Sequence, residues 1–184
     1  MKNNFQVQEE LQAEAIGIIN ELKMLEFLGQ FGEAKIVGSV AHKLIVKKDI
    51  DIHLLTKCNL WRVTFFVLDY LKNTRKNFKI HYEDFRNEKN ALFVGVEDFS
   101  GPAYKWCIDI WITSKREYTG FDQVEYFQKT LTNQQREIIL KIKEYYNQLD
   151  MLNDGFSSII YDAVLNEKIR DVIQFEKYFK KKFG

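Results

Sequence analysis

The chain has 184 residues, 46% hydrophobic and 29% charged, and its 27 Lys and Arg against 26 Asp and Glu leave a formal charge of +1. With 15% aromatics, nine glycines and one proline, the composition excludes disorder and low-complexity sequence, and the length suits one compact domain. The near-zero net charge also argues against a nucleic-acid partner, because no global excess of cations is available to neutralise phosphates.

No run approaches the roughly 18 apolar residues of a membrane span, and residues 1–10 lack the apolar core of a secretory signal. Cys58 and Cys107 are too few and too distant for a disulfide framework or a cysteine metal motif. Both are expected to be reduced and buried, and the expected location is the cytosol, with no membrane partner.

In chain order, Leu11, Ala15, Ile18, Leu22 and Leu25 recur at helical spacing, which predicts one helix over the first thirty residues, ended by Gly29 and Gly32. A short strand over 34–37 runs into Gly38-Ser39. Residues 49–55 alternate, with Ile50, Ile52 and Leu54 on one face and Asp49, Asp51 and His53 on the other. Asn59 is placed to cap a helix whose inward side chains are Leu60, Val63, Val67 and Leu71. Strands follow over 78–83, 92–97 and 104–113, the last preceded by a Gly101-Pro102 turn.

From Phe121 onward the periodicity is helical. Thr132 with Gln135 fits a capping box ahead of Ile138, Ile142, Tyr145 and Leu149, and two more helices are predicted over 157–166 and 168–182. The expected fold class is α/β (α+β): a mixed β-sheet of about five strands flanked by helices, then a helical C-terminal region.

Chemistry concentrates in two places. Gly38-Ser39 closes one strand, and ten residues later another opens with Asp49-Ile50-Asp51. Strand alternation sets Asp49 and Asp51 on one face roughly 7 Å apart at the backbone. Their repulsion is quenched by a cation, and an oxygen-rich pair suits Mg²⁺. Gly38 permits close backbone approach to a ligand, and Ser39 offers a hydroxyl and an N–H to a phosphate oxygen. Asp109, between Ile108 and Ile110, is an acid where the pattern is apolar, and beside the other two it would complete a three-carboxylate cluster. His53 shares the Asp51 face, where a hydrogen-bonded structural histidine is the expected reading. Lys47, Lys48 and the Lys177, Lys180, Lys181, Lys182 run read as solvated, and Tyr145, Tyr146, Tyr161 and Tyr178 as helical core.

Gly38-Ser39, Asp49-x-Asp51 and the separate Asp109 resemble the nucleotidyltransferase superfamily over roughly residues 35–113, and Gly38-Ser39-x-Ala41 is similar to its small bacterial members, antibiotic adenylyltransferases and minimal antitoxin-type enzymes. Two departures stand out: His42-Lys43 where many small members have Arg-Gly, and Lys48 where many have Ser. The resemblance implies a nucleotidyltransferase core over 1–117 and a helical acceptor-side wall over 118–184. It implies transfer of a nucleoside monophosphate, AMP from ATP, to a hydroxyl of a small-molecule acceptor. Asp49, Asp51 and Asp109 would be catalytic and would ligate two Mg²⁺ ions, with Asp109 either a ligand or the base that takes the acceptor proton, and Gly38, Ser39 and Lys43 would bind the nucleotide. The same resemblance leaves open a protein acceptor, or a non-catalytic nucleotide-binding descendant.

Overall fold

A computed structural model describes residues 4–74, 77–100, 105–153 and 155–184. The chain opens with α1 (Asn4–Glu21) and α2 (Met24–Gly29), followed by β1 (Gly32–Val37), α3 (Gly38–His42), β2 (Asp49–Thr56) and α4 (Leu60–Lys72). Next come β3 (Lys79–Phe85), α5 (Arg86–Lys89), β4 (Ala91–Ser100) and β5 (Lys105–Thr113). A 3₁₀ turn at Arg116–Tyr118 leads to α6 (Phe121–Thr130), α7 (Asn133–Gln148), α8 (Phe156–Leu165) and α9 (Val172–Phe183). The proposed Gly101-Pro102 turn lies outside the described residues.

The first thirty residues form two helices rather than one. Lys23 takes a left-handed conformation at φ 47°, and the chain restarts so that Met24 and Leu28 are buried. The apolar periodicity runs through the break, so spacing alone did not reveal it. Elsewhere the local signals match: Asn59 Oδ1 accepts from the Arg62 N–H at 3.0 Å, and Thr132 and Gln135 form a reciprocal capping box. Asp171 caps α9 by accepting from the Gln174 N–H at 2.8 Å, which starts this helix four residues later than the predicted position 168. The helical turn α5 was not anticipated; Asp84 organises it by accepting from the Arg86 N–H.

The strands form one mixed sheet in the order β1-β2-β5-β4-β3. Only β2 and β5 are parallel; the other neighbours run antiparallel. Alternation divides the sheet into two faces. Ile50, Ile52, Leu54, Ile108, Ile110, Ile112, Val94 and Val96 pack on one face against Ile18, Leu22, Val63, Val67 and Leu71 of the helices. That burial leaves the opposite face to carry Asp49, Asp51, His53, Asp109 and Trp111.

A second apolar cluster joins α6, α7, α8 and α9 through Phe127, Ile139, Ile142, Tyr146, Ile160, Tyr161 and Phe175. Leu44 is buried in it and Val46 packs against it, so the loop between α3 and β2 is held by the C-terminal helices. Asn147 strengthens this contact by donating to the Val46 carbonyl at 3.3 Å. Helix α7 therefore runs beside the segment that delivers the chain to Asp49. Among the described residues no helix is long and apolar enough to cross a membrane.

Candidate active site

Register brings the acids together. Asp51 on β2 pairs with Asp109 on the parallel strand β5, and Asp49 lies two residues earlier on the same face. One carboxylate oxygen from each of the three lies within 4.8 Å of the others. Gly38 closes the site from β1. Its φ is +59°, and a Cβ built there would fall 2.1 Å from Asp51 Oδ2, so only glycine fits. Ser39 follows it in α3.

The electrostatics are those of a crowded anionic cluster. Burial, then the charges of Asp49 and Asp109, pushes the Asp51 carboxyl up to about 7. Lys47 offsets part of this, with its Nζ 3.1 Å from Asp49 Oδ2. Lys48 is turned instead to Glu14, at 2.8 Å. Three converging hard oxygen donors fit a divalent cation of the Mg²⁺ type, since a cation would relieve their mutual repulsion and keep Asp51 ionised.

Lys143 was missed in the sequence reading. It is 2% exposed, on α7, and its Nζ donates to the Tyr161 hydroxyl at 3.1 Å. Burial pushes this ammonium down to about 7, while the charges of Asp51 and Asp49 favour its protonated form. A signal existed: Lys143 occupies the buried helical stripe between Ile139 and Tyr146, where a cation is out of place.

The histidines near the site are structural. His53 Nδ1 accepts from the Gly120 N–H at 3.0 Å, and burial pushes its imidazole down to about 4. His42 is buried with Nε2 3.2 Å from Gln123 Oε1 and is likewise pushed down to about 4, mainly by burial. Lys43 is exposed at the far end of α3 from Gly38, at φ 55°. It lines a cavity of about 280 Å³ with His42, Phe127, Gln128 and Arg136, and its carbonyl accepts from Arg136 at 3.0 Å. The structure thus sets Gly38 against Asp51, with Ser39 next to it in the chain, and places Lys43 on a separate cavity. A larger cavity of about 520 Å³ is lined by Lys47, Asn147, Asp150, Leu152 and Asn153, and Lys47 connects it to Asp49.

Both cysteines, expected to be buried, are exposed. Cys107 alternates with Ile108 on the acid face of β5, and its partial burial with the nearby charges of Asp49 and Asp109 pushes the thiol pKa up.

No family model matches the sequence, and no curated protein matches it either. Solved structures do. A cytoplasmic RNA terminal U-transferase matches over 88% of this chain and 49% of its own, with 14% identity and a TM-score of 0.56. A variant of the Cid1 poly(U) polymerase bound to MgATP matches over 90% of this chain and 55% of its own, with 16% identity and a TM-score of 0.63. Another Cid1 structure gives 14% identity, 90% and 49% coverage and a TM-score of 0.58. The chain spans about half the length of these neighbours.

One expectation is corrected. The net charge of +1 argues against nucleic acid, yet the neighbours are named for transfer to RNA and not to small molecules. A whole-chain charge balance averages over the surface and does not describe the field along one groove. What the neighbours establish for this chain is its architecture: the fold is that of the nucleotidyltransferases, as the Gly38-Ser39, Asp49-x-Asp51 and Asp109 pattern led one to expect.

Proposed function

We propose that this chain is a Mg²⁺-dependent nucleotidyltransferase that moves a nucleoside monophosphate from a triphosphate to the 3′ hydroxyl of an RNA. The observation that carries the reading is the convergence of Asp49, Asp51 and Asp109 within 4.8 Å beneath Gly38. The RNA acceptor is supported by the names of the neighbours. A cytosolic setting accords with the name of one of them.

In this reading Asp49, Asp51 and Asp109 hold the divalent ions, which when bound supply charge neutralisation for the triphosphate and the departing pyrophosphate. Ser39 offers its hydroxyl and N–H to phosphate oxygens beside Gly38. Lys143 turns its ammonium to the same charge from the α7 side, within reach of the fields of Asp51 and Asp49. The nucleoside occupies the cavity of Lys47, Asn147, Asp150, Leu152 and Asn153, whose amides and carboxylate match the donors and acceptors of a base edge. The acceptor oxygen attacks the α-phosphorus, its proton passes to Asp109, and the α–β phosphoanhydride bond breaks to release pyrophosphate. Residues 1–117 carry the acids in this division of labour, and residues 118–184 supply Lys143 and the nucleoside wall.

The test is direct. Purified protein is incubated with Mg²⁺, a 3′-hydroxyl oligoribonucleotide and each of the four labelled triphosphates, with ATP set against UTP as the decisive pair. Extension of the oligonucleotide with equimolar pyrophosphate, abolished in Asp51→Asn, is expected. No extension and no pyrophosphate with any triphosphate refutes the reading.

A further inference from the structure

The row of the sheet that contains the acids continues beyond them. Asp51 pairs with Asp109, Asp109 with Gly95, and Gly95 with His81, so four strands contribute one residue each to a single line across the acid face. Gly95 puts no side chain into that line. The His81 ring takes the space instead: a Cβ built on Gly95 would lie 2.2 Å from His81 Cε1 and 2.5 Å from Nε2. Neighbouring strands are roughly 4.8 Å apart, so the imidazole reaches from the edge strand to within about one strand spacing of the Asp109 backbone.

His81 differs from the other two histidines in being open, with its side chain 42% exposed. Its neighbours are polar on two sides: Nδ1 is 3.8 Å from Glu97 Oε1 and Nε2 is 4.0 Å from Glu83 Oε1, while the Phe93 ring stands 5.5 Å away. The line therefore runs from the β1 and β2 flank, where the nucleotide is placed, to the exposed imidazole on the edge strand β3. Gly38, Ser39, Lys47 and Lys143 crowd the β1 and β2 flank. An in-line displacement brings the attacking oxygen from the side opposite the leaving group, which is the β5-β4-β3 flank.

We propose that Gly95 and His81 form the acceptor subsite, and that His81 contacts the terminal ribose of the acceptor RNA. The assignment rests on the function proposed above and adds a residue and a sugar to it. Glu83 and Glu97 repel a phosphate but accept hydrogen bonds from hydroxyls, and an imidazole offers both a donor and an acceptor to a diol. An uncharged ribose satisfies both; a backbone phosphate does not.

Two measurements test this. In steady-state transfer, His81→Ala is expected to raise the KM for the oligoribonucleotide about tenfold, the loss of one hydrogen bond, with the triphosphate KM unchanged. His81→Asn restores part of the loss. Gly95→Ala, whose methyl evicts the ring, reproduces it, and a 2′-deoxy terminal nucleotide narrows the gap between wild type and His81→Ala. Separately, the ring C–H resonance of His81, identified by its absence from His81→Ala, is expected to shift when the same oligoribonucleotide is added without triphosphate. An unmoved resonance with an unchanged acceptor KM overturns the subsite. A shifted resonance in a protein that transfers nothing keeps the subsite and removes the proposed activity.

Discussion

Asp51 on β2 is half-buried and Lys143 on α7 is buried, each within the other's field, and desolvation drives both toward neutrality, the carboxyl up to about 7 and the ammonium down to about 7. Each favours the charged form of the other, yet neither field overcomes desolvation. The pair is therefore poised for ligands that bring charge of their own: a cation at the acids and phosphates at the lysine.

Replacing Lys143 separates stability from function. A buried ammonium is expensive to desolvate, and an apolar side chain of similar length is often neutral or stabilising in its place. Lys143→Met is expected to keep or raise the melting temperature. The KM for triphosphate should rise roughly tenfold to a hundredfold, the loss of one hydrogen bond to a charged group. A lower melting temperature with unchanged KM would make Lys143 a structural residue.

Asp51 sets a pH dependence whose sign follows from linkage. Its folded pKa of about 7 lies above the ordinary carboxyl value of 3.8, so the native state holds a proton that the unfolded chain releases. Its contribution to stability without metal is present below about 3.8 and is lost as pH rises through 7. Mg²⁺ should raise the melting temperature, and more at pH 8 than at pH 5, because it binds the ionised carboxylates. Asp51→Asn should flatten the metal-free profile and remove most of the Mg²⁺ effect. Equal Mg²⁺ stabilisation of wild type and variant would move the cation elsewhere.

These two residues also mark what the sequence could and could not disclose. Asp49, Asp51 and Asp109 were legible because strand alternation is local, and an acid among isoleucines contradicts its own pattern. The caps at Asn59 and Thr132 were legible for the same reason, since a cap is decided within four residues. Lys143 and His81 reach the site through packing and register, which depend on residues far away in the chain. The β4-β5 pairing contains an irregularity between Val96 and Phe99, so no count along the sequence would set Gly95 opposite Asp109. The break at Lys23 was hidden by an unbroken apolar rhythm, and the exposure of Cys107 by the assumption that cysteine follows its neighbours inward.

Gly38 can be tested against a glycine of similar backbone. Gly38 and Gly155 both have positive φ, at +59° and +79°, but a Cβ at Gly38 meets Asp51 Oδ2 while a Cβ at Gly155 meets nothing within 4 Å. Gly155→Ala should show only the left-handed penalty, about 1 kcal/mol, with activity intact. Gly38→Ala adds displacement of Asp51 to that penalty, so transfer should fall by at least about a hundredfold, some 2.7 kcal/mol of transition-state stabilisation. Denaturant melts and initial rates on the two variants decide it. Similar activity in both would mean that the fit of Gly38 over Asp51 has no catalytic consequence.

His53 links the acid-bearing strand to the C-terminal helices, because its Nδ1 accepts from the Gly120 N–H at the start of α6. Burial holds its folded pKa at about 4, below the ordinary imidazole value of 6.5, so its contribution is complete above 6.5 and is lost as pH falls through 4. His53→Leu leaves the Gly120 N–H without that acceptor, which costs about 1–3 kcal/mol at pH 8. The variant lacks the titration, so the gap between the two melting temperatures should narrow from pH 8 to pH 5. Asp51 titrates in the opposite sense over part of this range but is present in both proteins, and its effect largely cancels in the difference. A gap that is constant across the range would mean that His53 stays paired to Gly120 without the cost of remaining neutral.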